Sequence, residues 1–172
     1  MIINVYGETR SRMARRRVAG FSLIELLIVV AVILIIAAIA VPQYLRSRMQ
    51  ANEASAVGSM RAICSANVLY DRTYSVGFAP SLAALGRAPG GGPATALNAD
   101  ILDQVVSSGI KSGYSFVYAV SSSGGANPDR FAVNANPVSP GQTGDRYFFV
   151  DQTMVIRFDT LGPAGPASPP LN

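Results

Sequence analysis

Hydrophobic and polar positions divide this chain into three regimes. Residues 1–20 are polar and rich in arginine. From Leu26 to Val41 no polar side chain interrupts the run. After Pro42 the apolar positions recur first at a helical period and later at a strand period. The second regime has a length with a meaning. Phe21 to Val41 is 21 residues, and at about 1.5 Å per residue a helix of that length spans roughly 31 Å, one hydrocarbon thickness. Apart from Ser22 and Glu25 it is apolar all round, so it has no wet face. Lipid, or a bundle of like helices, has to supply its surroundings.

Pro42 lacks an N–H and its ring crowds the preceding turn, which predicts a kink or break there. Helical periodicity then resumes. Leu45, Met49, Ala56, Met60 and Ile63 form one stripe, with Arg46, Gln50, Glu53 and Arg61 on a different face. Val57, Cys64 and Val68 extend apolar character onto that second face, as expected of a helix touching its own sheet on one side and either a neighbouring subunit or its own loops on the other. Pro80–Gly86 predicts one short helical turn closed by glycine. Pro89-Gly90-Gly91-Gly92-Pro93 is a loop. Asp100–Ser107 predicts a second short helix with Ile101, Leu102 and Val105 inward. Tyr114, Phe116, Tyr118 and Val120 alternate with Ser115, Val117 and Ala119 as in a strand. Phe131, Val133 and Ala135 do the same, Tyr147–Val150 is a short apolar run, and Met154, Ile156 and Phe158 alternate again, joined to it across Asp151-Gln152-Thr153. The Pro-, Gly- and Ala-rich tail from Gly162 to Asn172 reads as loose.

The expected fold class is therefore α+β: a long N-terminal membrane-spanning helix continuing into an amphipathic helix packed on three or four antiparallel strands. Three parts follow in order. Residues 1–20 are a basic leader, 21–42 the hydrophobic helix, and 43–172 a head domain.

Charge sharpens the boundary at Gly20. The chain has 14 basic and 10 acidic residues. Arg10, Arg12, Arg15, Arg16 and Arg17 against Glu8 place all of the excess in the leader, and the remainder is neutral. Basicity confined to one flank of an apolar helix reads as a cytoplasmic anchor under the positive-inside rule, with everything after Val41 on the far side. It is not a nucleic-acid footprint, and no nucleic acid is expected as a partner. An ordinary secretory signal has a shorter apolar core with its cleavage site after it. Translation from Met13 would leave an eight-residue leader that keeps three of the arginines.

Glu25 is the residue that demands a reason. A carboxylate in hydrocarbon costs about 2.5–3.5 kcal/mol on insertion scales. If Gly20 were removed, a free amine on Phe21 would lie four positions away. Helical residues i and i+4 share a face, so Glu25 could pair with its own terminus or with that of another subunit. Low dielectric strengthens either pairing.

Gly20-Phe21-Ser22-Leu23-Ile24-Glu25-Leu26-Leu27-Ile28-Val29-Val30 resembles the start of a type IV pilin or a type II secretion pseudopilin. The resemblance covers about the first 55 residues and implies the following. A membrane-embedded prepilin peptidase cuts after Gly20 and methylates the new amino terminus, Phe21. Glu25 matches the glutamate that pairs with a neighbour's terminus during assembly, and Pro42 the proline that commonly ends the membrane half of the helix. The precursor is a single-pass protein of the inner membrane, surrounded by lipid before assembly. Its partners are copies of itself in a helical filament and the pilus or secretion machinery, and a pilin ends in an extracellular pilus. Many relatives carry a glycine in the middle of the apolar stretch, where this chain has Leu34. Many pilins also close a carboxy-terminal disulfide, which a chain with one cysteine cannot form. Pilus subunit and secretion pseudopilin both remain open.

The rest of the chain offers little chemistry. It has no histidine, the commonest general base and metal ligand. Cys64, without a histidine, is read as a packing residue. Asp129, Asp145, Asp151 and Asp159 are oxygen donors of the kind calcium takes, and secretion pseudopilins bind calcium in such a loop. Here the aspartates are not densely spaced, and solvated turns are the expectation. Gly90-Gly91-Gly92 is not followed by the residues of a phosphate-cradling motif. No catalytic set, metal site or cofactor is expected, and no enzymatic activity.

Overall fold

The computed structural model describes residues 20–171. The leader, and with it the choice between Met1 and Met13, lies outside the described residues. The chain divides into two compact units, with the division between Ala40 and Val41.

One helix, α1 (Leu23–Tyr74), supplies residues to both units. Pro42 lies inside it and does not end it, so of the kink or break expected at that residue the break is absent. In the first unit the helix is almost wholly apolar and, from Leu23 to Ile39, every residue but the half-buried Ala37 is exposed.

In the second unit α1 changes character. Leu45 remains exposed, so the predicted apolar stripe is not buried where it begins. Burial on that stripe starts at Ala56 and continues through Met60, Ile63, Ala66 and Tyr70. These residues share one core with the inner face of an antiparallel sheet. The sheet has five strands in sequential order: β1 (Ile110–Lys111), β2 (Tyr114–Ser121), β3 (Arg130–Pro137), β4 (Tyr147–Asp151) and β5 (Arg157–Asp159). Alternation sets its faces, because successive strand residues point to opposite sides. Tyr114 and Phe116 of β2, Phe131, Val133 and Ala135 of β3, and Phe148 and Val150 of β4 point inward. Register pairs Tyr118 with Val133 and Val133 with Val150.

Two short helices close one side of the core. In α2 (Leu82–Leu85) the Ser81 hydroxyl accepts a hydrogen bond from the Ala84 amide, a side-chain cap. In α3 (Gln104–Ser107) the register differs from that expected: Val106 is buried and Val105 is exposed.

Three further expectations are corrected. A fifth strand, β1, exists, which two residues are too few to announce. Only residues 157–159 of the predicted last strand are extended. Met154 has a φ of 61° in the turn that precedes them and is exposed. The tail is not loose. The Phe158 amide donates to Pro169 O at 3.0 Å and the Leu171 amide to Ile156 O at 2.8 Å, which ties the tail to β5. Asn134 Nδ2 donates to Ala164 O at 2.7 Å across the outer face of the sheet, where Phe149 is buried.

Candidate functional site

The residues singled out from sequence lie together at the start of the described chain. Gly20, Phe21 and Ser22 precede α1 in irregular backbone. Gly20 is exposed, its φ is not in the left-handed region, and a Cβ built there would meet nothing within 4 Å. Neither conformation nor packing within the described residues therefore demands a glycine at position 20. Phe21 is 79% exposed.

Ser22 opens the helix. Its carbonyl accepts from the Glu25 amide at 3.1 Å and from the Leu26 amide at 3.2 Å. Glu25 thus sits in the first turn, where a negative side chain complements the positive end of the helix dipole. Phe21, by contrast, lies two residues before α1 begins. The helical i, i+4 relation that would put its amine beside Glu25 of the same chain is not formed in this conformation.

Beyond Glu25 the helix is long and apolar enough to cross a membrane, and no residue of its most apolar stretch is buried within the chain. At about 1.5 Å per residue, Leu23–Val41 covers roughly 28 Å. Leu34 sits in uninterrupted helix and is exposed. Pro42 removes one N–H from the helical ladder.

The other candidate residues belong to the second unit. Asp129 accepts the Ser123 amide at 2.9 Å, and hydrogen bonding from Ser123 holds its carboxyl below the ordinary value. Asp151 accepts the Thr153 amide, also at 2.9 Å. Asp159 accepts the Leu161 amide at 3.0 Å. These are turn-capping roles. Asp145 is exposed and its amide donates to Glu53. Among the described residues no three acidic, cysteine or histidine side chains gather in a group that could hold a metal ion. Cys64 is buried in the core, and burial, with the charge of Asp151 adding to it, pushes its thiol up to about 11.

Two polar constellations were not anticipated. Glu53, placed with Arg46, Gln50 and Arg61 on a face apart from the apolar stripe, is 6% exposed. Its Oε1 accepts the amides of Asp145 and Arg146 at 2.9 and 3.1 Å, and its Oε2 accepts Arg146 Nε at 2.7 Å. Asn67 is fully buried. Its Oδ1 accepts the Tyr118 hydroxyl at 2.7 Å and the Ala79 amide at 3.2 Å. Both fasten α1 to the head. Glu53 is the one acid of α1 between Glu25 and Asp71, which was the available signal.

The family model described as the prokaryotic N-terminal methylation motif matches residues 15–41. Comparison with curated proteins and with solved structures returns no match.

Proposed function

We propose, for a chain that carries the hallmark motif of the type IV pilins and pseudopilins, that it is the structural subunit of a type IV pilus. In this reading the precursor is anchored in the inner membrane by residues 21–42. Prepilin peptidase cuts between Gly20 and Phe21 and methylates the Phe21 amine. Mature subunits then leave the bilayer and polymerise by packing their apolar helices together in an extracellular filament. The chain performs no catalysis of its own.

One observation carries the reading: a fully exposed apolar helix with a single acid in its first turn. Such a surface, larger than soluble monomers tolerate, calls for lipid or for copies of itself. The acid calls for a cation. Phe21 stands off the helix, so a neighbour's terminal ammonium is the partner that stacking delivers. Apolar packing then drives assembly while the charge pair sets its register. Gly20 supports the same reading, because packing among the described residues does not call for a glycine there. A peptidase that must reach the backbone does.

Glu25→Ala tests it. Cleavage should persist while the yield of sheared filament collapses. Normal filaments from that variant would refute the pairing, and Gly20→Glu should leave uncut precursor in the membrane. The second reading, a pseudopilin of a type II secretion system, is favoured by the lone buried cysteine, which leaves the carboxy-terminal region without a disulfide. Sheared surface material decides between them: a pilus subunit dominates it, whereas a pseudopilin stays in the envelope.

A further inference from the structure

Between Glu25 and Glu53 the chain has two charged residues, Arg46 and Arg48, both positive. Neither takes part in an ion pair among the described residues. The nearest acid along the helix, Glu53, is committed through both oxygens to Arg146 and to two backbone amides. Tyr44, Arg46 and Arg48 are all exposed.

Their distance from the apolar run is what gives these residues a partner. They stand three, five and seven residues beyond Val41, or about 4.5, 7.5 and 10.5 Å along a helix. The headgroup layer on one side of a bilayer is about 5–7 Å deep, and arginine side chains reach back several ångströms with their heads in the polar layer. Tyrosine is the residue that favours this depth. Arg46 and Arg48 lie on nearly opposite sides of α1, two residues apart on a helix of 3.6 per turn, so they face two different clefts. Arg48 borders a cleft of about 310 Å³ with Leu45, Gly141 and Gln142, which contains no acid. Arg46 borders one of about 460 Å³ that also holds Asp145 and the Glu53–Arg146 pair.

Positive charge on this flank runs against the positive-inside rule. The leader arginines outweigh it in the precursor, but they are lost if the chain is cut at Gly20. Two arginines on the far side then remain with no ion-pair partner among the described residues.

We propose that Arg48 and Arg46, with Tyr44, seat the phosphates of anionic phospholipid headgroups at the leaflet where α1 leaves the hydrocarbon. This rests on the membrane reading above. The partner is an anionic bilayer surface, and the Arg48 cleft, free of acid, is the stronger seat. The contact holds the subunit at fixed depth before assembly and is given up when the subunit is extracted.

The full mature chain, reconstituted in vesicles of phosphatidylcholine with a quarter phosphatidylglycerol and then solubilised, tests this by the lipid it retains. Wild type should keep phosphatidylglycerol over phosphatidylcholine. Arg48→Gln should cut that preference about fivefold, and Arg46→Gln/Arg48→Gln should abolish it. Arg61→Gln, an exposed arginine far up the same helix, should leave it unchanged. Each replacement keeps a good helix former at an exposed position, and circular dichroism checks the fold. Carbonate extraction separates the two layers of the argument. A chain that stays inserted but shows no preference, or keeps it in the double variant, overturns the headgroup proposal alone. A chain that washes off overturns the membrane reading and this proposal with it.

Discussion

Glu53 and Arg146, 93 residues apart in sequence, meet at 2.7 Å and join the first turns of α1 inside the head to the start of β4. The guanidinium also lies 5.8 Å from the centres of the Phe148 and Phe158 rings. Nearby, the Tyr114 hydroxyl donates to Arg146 O at 2.8 Å. Removing one member of a buried pair strands the other, at a cost of about 3–5 kcal/mol. The Arg146 side chain is 37% exposed, so water screens part of this. Arg146→Ala is expected to cost about 2–3 kcal/mol, and Glu53→Ala at least as much, because two backbone amides lose their acceptor. Urea unfolding of both single variants and the double should show strong coupling. Additive losses would mean that the pair contributes little.

Asn67 offers a sharper contrast. Tyr118→Phe removes one hydroxyl that bonds Asn67 Oδ1 and lies 2.9 Å from Ala79 O, and should cost about 1 kcal/mol. Asn67→Leu leaves the buried Ala79 amide without its acceptor and the Tyr118 hydroxyl with Ala79 O alone, and should cost about 2–4 kcal/mol. Equal losses in the two variants, measured by chemical denaturation, would show that Asn67 acts only by filling space.

These two constellations mark where sequence reading ended. Periodicity placed the helix of α1, the buried Ala56, Met60 and Ile63 on it and the inward residues of β2 and β3, because alternation and helical stripes are local signals. It named no partner for Glu53 and passed over Asn67, because a polar residue is inward only when a distant partner satisfies it, and that partner is invisible along the chain. The tail failed for the same reason. Its composition is that of a loose segment, but Pro169 and Leu171 offer backbone groups to the β5 edge and Ala164 offers its carbonyl to Asn134 on the outer face of the sheet. The segment around Gly20 and Glu25 was legible as a motif, since all of it lies within a few residues.

Alkaline pH should weaken the head. The Cys64 thiol is raised from 9.0 to about 11 in the folded chain. The fold therefore favours the protonated form. Its stabilisation is complete below pH 9 and is lost as pH rises from there towards 11. Burial shifts the Tyr114 and Tyr118 hydroxyls in the same direction, which extends the loss upward. Unfolding free energy should be level near neutrality and fall above about pH 9. Cys64→Ala should be less stable at pH 7 but show a shallower fall between 9 and 11. An unchanged slope would acquit the thiol.

Deleting residues 163–172 should be far from neutral, despite their composition. The tail supplies Pro169 O to the Phe158 amide, Ser168 O to Arg157 Nη1 and an amide to Ile156 O. Without it β5 becomes an open edge, a template for pairing with another chain. Asn134 loses Ala164 O as its acceptor, and Phe149, now 6% exposed, faces water. Uncovering one aromatic side chain costs about 1.5–3 kcal/mol, and the lost hydrogen bonds add to it. The truncated chain should unfold at lower urea and elute as larger species in size-exclusion chromatography. A single substitution separates the two effects. Phe149→Ser removes the apolar side chain but keeps the tail on β5, so it should lower stability without promoting association. If truncation leaves both stability and elution unchanged, the tail does not seal the sheet.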